Sequence, residues 1–62
     1  MKCKCIKDYR DSSVHFLENE IYEYRSVPTS SRFPPVYRIY NGHLGQKVLS
    51  YTEFQSFFRR VA

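Results

Sequence analysis

HFLENEIYEYR, residues 15–25, reads as a strand end, a tight turn and a new strand. Phe16 and Leu17 lead into Glu18-Asn19-Glu20, and Ile21-Tyr22-Glu23-Tyr24 leads out. Asn19 is the expected pivot, because Asn tolerates the left-handed backbone that such a turn requires. Behind the turn, Tyr22 and Tyr24 alternate with Glu23, the pattern of a half-buried strand. Ahead of it, Val14 and Phe16 alternate with His15 as a short strand entry.

Working outward to the start, Cys3 and Cys5 alternate with Lys2 and Lys4. This predicts a first strand with both cysteines inward, where Cys is commonly found. Residues 8–13, DYRDSS, are polar and read as a loop. Toward the end, residues 26–35, SVPTSSRFPP, hold all three prolines and read as irregular. Residues 36–40, VYRIY, are a strand, Asn41-Gly42 signals a hairpin whose connection runs as far as Gly45, and residues 46–49 return as the next strand.

Residues 50–60 predict a C-terminal helix. Ser50-Tyr51-Thr52-Glu53 is a capping box. Phe54, Phe57, Phe58 and Val61 fall at i, i+3, i+4 and i+7, one helical face, with Arg59 and Arg60 in the last turn. A helix this short is unstable alone, so its phenylalanines must pack on the sheet.

The 62 residues make one domain, residues 1–62. Such a chain buries only about 60% of its unfolded surface. Six Tyr and five Phe compensate by burying large areas. So little core leaves no room for a shell that supports catalysis, and no nucleophile–base signature is present, so the chain reads as a non-enzyme with no cofactor. Ten Lys and Arg against six Asp and Glu give a net charge of +4, enough for weak attraction to an anionic partner. Two cysteines at i and i+2 suit a strand better than a disulfide, which points to a reduced, cytoplasmic setting. No apolar run is long enough for a signal peptide or a membrane span, so no membrane role is expected.

The order of these pieces resembles an SH3 domain. Cys5-Ile6-Lys7-Asp8-Tyr9 stands where SH3 domains carry Ala-Leu-Tyr-Asp-Tyr. Phe16-Leu17-Glu18-Asn19-Glu20 stands where they carry a diverging turn, with Asn19 in place of Gly, and Val14, Phe16, Tyr22 and Tyr24 fall at core positions. The proline-binding surface does not carry over. The chain has no Trp, Lys7 replaces the first Tyr, a helix replaces the proline-containing turn, and only Tyr9 remains. MKCKCIKDY, FLENEIY and SYTEFQSFF are similar to the small SH3-like proteins of phages and prophages of Gram-positive bacteria. The resemblance implies a mainly β fold, a small SH3-like barrel of four to five antiparallel strands with one C-terminal helix. It also implies a phage or prophage origin, but no activity.

Three sets of residues are candidate sites. The first, Arg32, Phe33, Pro34 and Pro35, is a candidate protein-contact loop for a host protein, since a Phe held by rigid prolines is a pre-ordered anchor. Phe33 either stands exposed there or folds back over an open end of the barrel. The second, Tyr9, Lys7, Arg38, Tyr40 and Tyr51, with Lys4, Arg32, Tyr37, Arg59 and Arg60 around it, is a candidate basic aromatic surface for nucleic acid. Against it stands the reading of these tyrosines as half-buried sheet residues. The third, Cys3, Cys5, His15 and His43, contains ligand types for zinc, but Cys-x-Cys with two isolated His is a poor match to a structural site, and the cysteines read as buried. Exposed strand edges also leave pairing with a second copy open.

Overall fold

The computed structural model describes residues 1–42 and 45–61. Its elements are β1 (Lys2–Cys5), β2 (Tyr9–Arg10), β3 (His15–Phe16), β4 (Ile21–Val27), β5 (Val36–Tyr40), β6 (Gln46–Leu49), α1 (Tyr51–Phe57) and β7 (Phe58–Val61). The chain is mainly β. One antiparallel sheet has the order β6-β5-β4-β1-β7, and β2 and β3 form a separate pair.

The 15–25 stretch folds as a strand, a turn and a strand, but it is not a hairpin. β3 pairs with β2, whereas β4 pairs with β1 and β5, so the two strands leave the turn toward different sheets. Asn19 has φ 73°, the left-handed region, and Glu20 N–H donates to Leu17 C=O at 3.2 Å. The turn is docked on β1: Asn19 N–H donates to Cys5 C=O at 2.7 Å, and Cys5 N–H donates to Glu20 C=O at 2.9 Å. The Asp8 carboxylate accepts from Glu18 N–H at 2.6 Å.

Inward side chains of the main sheet alternate as the strands require. Cys3, Cys5, Tyr24, Tyr37, Ile39, Leu49 and Phe58 are buried, together with Val14, Phe16 and Phe54. Tyr22, read as core, is half-buried against it. Aromatic rings link the elements. Phe16 meets Phe58 edge-on at 5.4 Å, Phe58 stacks on Phe54 at 5.5 Å, and Phe54 stacks on Tyr37 at 4.3 Å. Offset and edge-to-face pairs of this kind add about 0.5–1.5 kcal/mol each to the burial of their area.

Several expectations need correction. The helix is shorter than residues 50–60. It ends at Phe57, and Phe58 is extended, with φ −136° and ψ 155°. Residues 58–61 form β7, registered on β1 with Phe58 opposite Cys5 and Arg60 opposite Cys3. The free edge of β1 offers a ladder of hydrogen bonds that outweighs one more helical turn. Residues 8–13 are not all loop, because Tyr9–Arg10 pairs with His15–Phe16. Among the described residues the strands number seven rather than four to five. Finally, the sheet is not closed into a barrel. β6 and β7 are its two edges, and α1 packs on β5, β6 and β7 with Phe54 buried.

The irregular stretch read over residues 26–35 begins only after Val27, because Ser26 and Val27 pair with Tyr37 and Val36 as the end of β4. Two other local signals hold. Ser50 caps α1, its hydroxyl accepting from Glu53 N–H at 3.2 Å, while the Glu53 carboxylate returns to the Ser50 hydroxyl rather than to its backbone. The β5–β6 connection extends to Gly45, whose C=O accepts from Asn41 N–H at 2.9 Å.

Candidate interaction surfaces

The irregular segment after β4 is folded on itself. Ser30 and Phe33 form an isolated bridge, Arg32 N–H donates to the Ser30 hydroxyl at 3.2 Å, and the Thr29 hydroxyl donates to Pro34 C=O at 3.3 Å. These bonds and two consecutive prolines restrict the backbone, yet Phe33 is 68% exposed. The alternative in which Phe33 folds back as a cover is thereby set aside. The ring forms one wall of an apolar groove of about 390 Å³, with Pro34, Pro35 and Val36 on one side and Tyr51 and Thr52 of α1 on the other.

Tyr51 also borders a second cleft, of about 540 Å³, between α1 and β7. There Arg60 lies over the Tyr37 ring at 5.8 Å and donates to the Tyr37 hydroxyl at 2.8 Å. That hydrogen bond pushes the Arg60 guanidinium pKa further up. Gln55 donates to the Tyr51 hydroxyl at 2.9 Å, which orients the ring between the two clefts. The sequence placed Tyr51 and Phe33 in different candidate sets, but the fold puts them on one groove. A loop and a helix separated by two strands carry no shared local signal, so this pairing was not legible.

The five residues of the basic aromatic set are dispersed. Lys7 and Tyr9 both lie against Phe57, with the Lys7 ammonium 5.5 Å from the ring and Tyr9 meeting it edge-on at 5.0 Å. Arg38 and Tyr40 project from the outer side of β5, opposite the buried Tyr37 and Ile39. Tyr51 is on α1. Arg59 and Arg60, read as neighbours on a helix turn, point to opposite sides of β7 because a strand alternates.

Cys3 and Cys5 are free thiols with 0% exposure. Burial is the main reason the Cys3 thiol is pushed up to about 12, with the nearby Cys5 adding to it. Burial raises Cys5 as well, and its thiol donates to Lys7 C=O at 3.0 Å. Both thiols are therefore held in the protonated form in the folded chain near neutral pH. His15 stands 4.0 Å from Asp8, and His43 lies outside the described residues. Among the described residues no three His, Cys, Asp or Glu side chains form a metal-binding group, and no helix is long and apolar enough to cross a membrane.

Comparison with protein-family models, with curated proteins and with solved structures gives no match to this chain.

Proposed function

We propose that the chain is a non-enzymatic interaction module of SH3-like architecture. It seats a segment of a host protein in the groove between Phe33 and Tyr51. The observation that carries this reading is the exposure of Phe33 on a segment held by its own hydrogen bonds and two prolines. Burying a Phe side chain contributes about 1.5–3 kcal/mol, and a pre-ordered anchor loses little entropy on binding. A mobile Phe of equal area would bind more weakly.

The SH3-like assignment is supported by the turn at Asn19, which separates two strands that diverge into different sheets. A phage or prophage origin rests on the likeness of MKCKCIKDY, FLENEIY and SYTEFQSFF. A cytoplasmic setting is in keeping with two unpaired, buried thiols. Proline-rich ligands are not the expected partners, since Lys7 stands in place of the first groove tyrosine and lies against Phe57.

The test is capture from host lysate with wild-type chain and Phe33→Ala as matched baits. The expected result is a partner held by the wild type and lost by the variant. Absence of any partner, or equal retention by both baits, would sink the reading.

A further inference from the structure

The register of the main sheet collects charges that are scattered in sequence. On its outer side, opposite the core, Arg25 of β4 faces Arg38 of β5, and Arg38 faces Val48 of β6. Two residues along β4, Glu23 faces Tyr40 on one side and Lys2 on the other. Two residues further, Ile21 faces Lys4 of β1, and Lys4 faces Arg59 of β7. The face therefore holds Lys2, Lys4, Arg25, Arg38 and Arg59 against one acid, Glu23. The remaining cations, Lys7, Arg10, Arg32, Lys47 and Arg60, are equalled in number by Asp8, Asp11, Glu18, Glu20 and Glu53. The whole excess of +4 thus resides on one face.

This face is also unsatisfied. Arg25 against Arg38 and Lys4 against Arg59 are like-charge cross-strand pairs, which destabilise a sheet. Glu23 is engaged by the Met1 ammonium at 2.6 Å and by Lys2 at 3.0 Å. Lys4, Arg25, Arg38 and Arg59 have no ion-pair partner among the described residues. Arg38 Nε is buried there without a hydrogen-bond acceptor. An anion laid across the strands would relieve both repulsions at once.

We propose that the outer face of the five-stranded sheet binds single-stranded nucleic acid, with Arg25, Arg38, Lys4 and Arg59 on phosphates and Tyr40 stacking on a base. From β5 to β7 is three strand spacings, about 14 Å, room for several phosphates. Tyr40 follows Arg38 by two residues on the same side of β5, and its ring is in no aromatic or cation pair among the described residues. A free aromatic beside cations is the platform that non-specific strand binders use. Duplex grooves admit a helix or a two-stranded ribbon, which this broad face is not. A membrane is disfavoured because the exposed outward apolar side chains, Ile21, Val48 and Val61, lie on three different strands, the two valines on opposite edges about 19 Å apart, and each has a cation opposite it, Lys4, Arg38 and Lys2.

The test is fluorescence anisotropy of labelled oligo-deoxythymidylate and oligo-uridylate, each of about twelve nucleotides. Neutralising about four phosphates predicts binding that falls roughly 50-fold between about 50 and 200 mM salt. Arg25→Gln and Arg59→Gln are each expected to weaken binding several-fold and to flatten the salt dependence. Arg10→Gln removes the same charge from outside the face and should change binding less than about twofold, since distant exposed charges are screened. Tyr40→Ala should weaken binding about fivefold or more. Circular dichroism on each variant ensures that folded chains are compared, and the exposed Arg25 decides the case if Arg59→Gln unfolds. Preference for either sugar supports the proposal. It is overturned by no binding at low salt, by an equal loss with Arg10→Gln, or by tighter binding of a duplex. Equal binding of phosphatidylglycerol vesicles or polyglutamate, lost in the same variants, would reassign the face to a membrane or an acidic protein.

Discussion

Asn19 donates its backbone N–H to the carbonyl of Cys5 at 2.7 Å, which fastens the turn at the centre of the 15–25 stretch to the end of β1. Asn19 makes this contact with φ 73°, in the left-handed region. A residue with a bulky Cβ resists that conformation by about 1–2 kcal/mol. Asn19→Val is therefore expected to lower stability by that amount in urea unfolding, and Asn19→Gly to change it by less than about 0.5 kcal/mol. Equal stability of the Val and Gly variants would contradict the turn geometry.

The C-terminal residues distinguish strand from helix by substitution. On a helix, Val61 would continue the buried face of Phe54, Phe57 and Phe58. In β7 it points outward and is 41% exposed, whereas Phe58 is buried against Phe16 and Phe54. Val61→Thr should thus cost less than about 0.5 kcal/mol in thermal or urea unfolding. Phe58→Ala should cost about 3–5 kcal/mol, comparable to the whole stability expected for so small a core, and leave the chain largely unfolded.

Acid sensitivity should trace to Asp11. Its carboxylate takes an ion pair from Lys47 at 2.8 Å and backbone N–H bonds from Ser13 and Val14 at 2.8 and 2.9 Å. Led by the Lys47 contact, these hold its pKa well below the ordinary 3.8. A depressed carboxylate contributes stability that is complete above the unfolded value and is lost as pH falls toward the folded one. The melting temperature is expected to drop as pH goes below 3.8. Asp11→Asn should be less stable at neutral pH and show a smaller drop over that window. Parallel curves for the two proteins would remove Asp11 as the cause.

Thiol labelling reports on the core. Cys3 and Cys5 sit at 0% exposure, and burial raises both thiols. Native protein should react slowly with a thiol reagent at pH about 8, where free Cys has its ordinary pKa of about 8.5. Unfolding in denaturant should release both at the rate of a free thiol. Fast labelling under native conditions would show that the inner face of β1 is not covered by the core.

Local patterns were enough for much of the fold. Alternation placed Cys3 and Cys5 inward, Asn19 marked the turn, Ser50 and Glu53 marked the start of α1, and Asn41 with the glycines marked the β5–β6 connection, because each depends on neighbours within a few residues. They also singled out residues 32–35, where the fold leaves Phe33 exposed. Tertiary structure decided what depends on partners distant in the chain. Phe58 became a strand residue because the edge of β1, more than fifty positions earlier, supplied hydrogen bonds that helical periodicity cannot register. The same pairing put Arg59 opposite Lys4, while the β4–β5 register put Arg25 opposite Arg38, turning scattered cations into one charged face. The open sheet with α1 packed on β5, β6 and β7, and Tyr51 set across the groove from Phe33, follow from packing in three dimensions. Spacing along the chain could fix which side of a strand each residue occupies, but not which strand lies beside it.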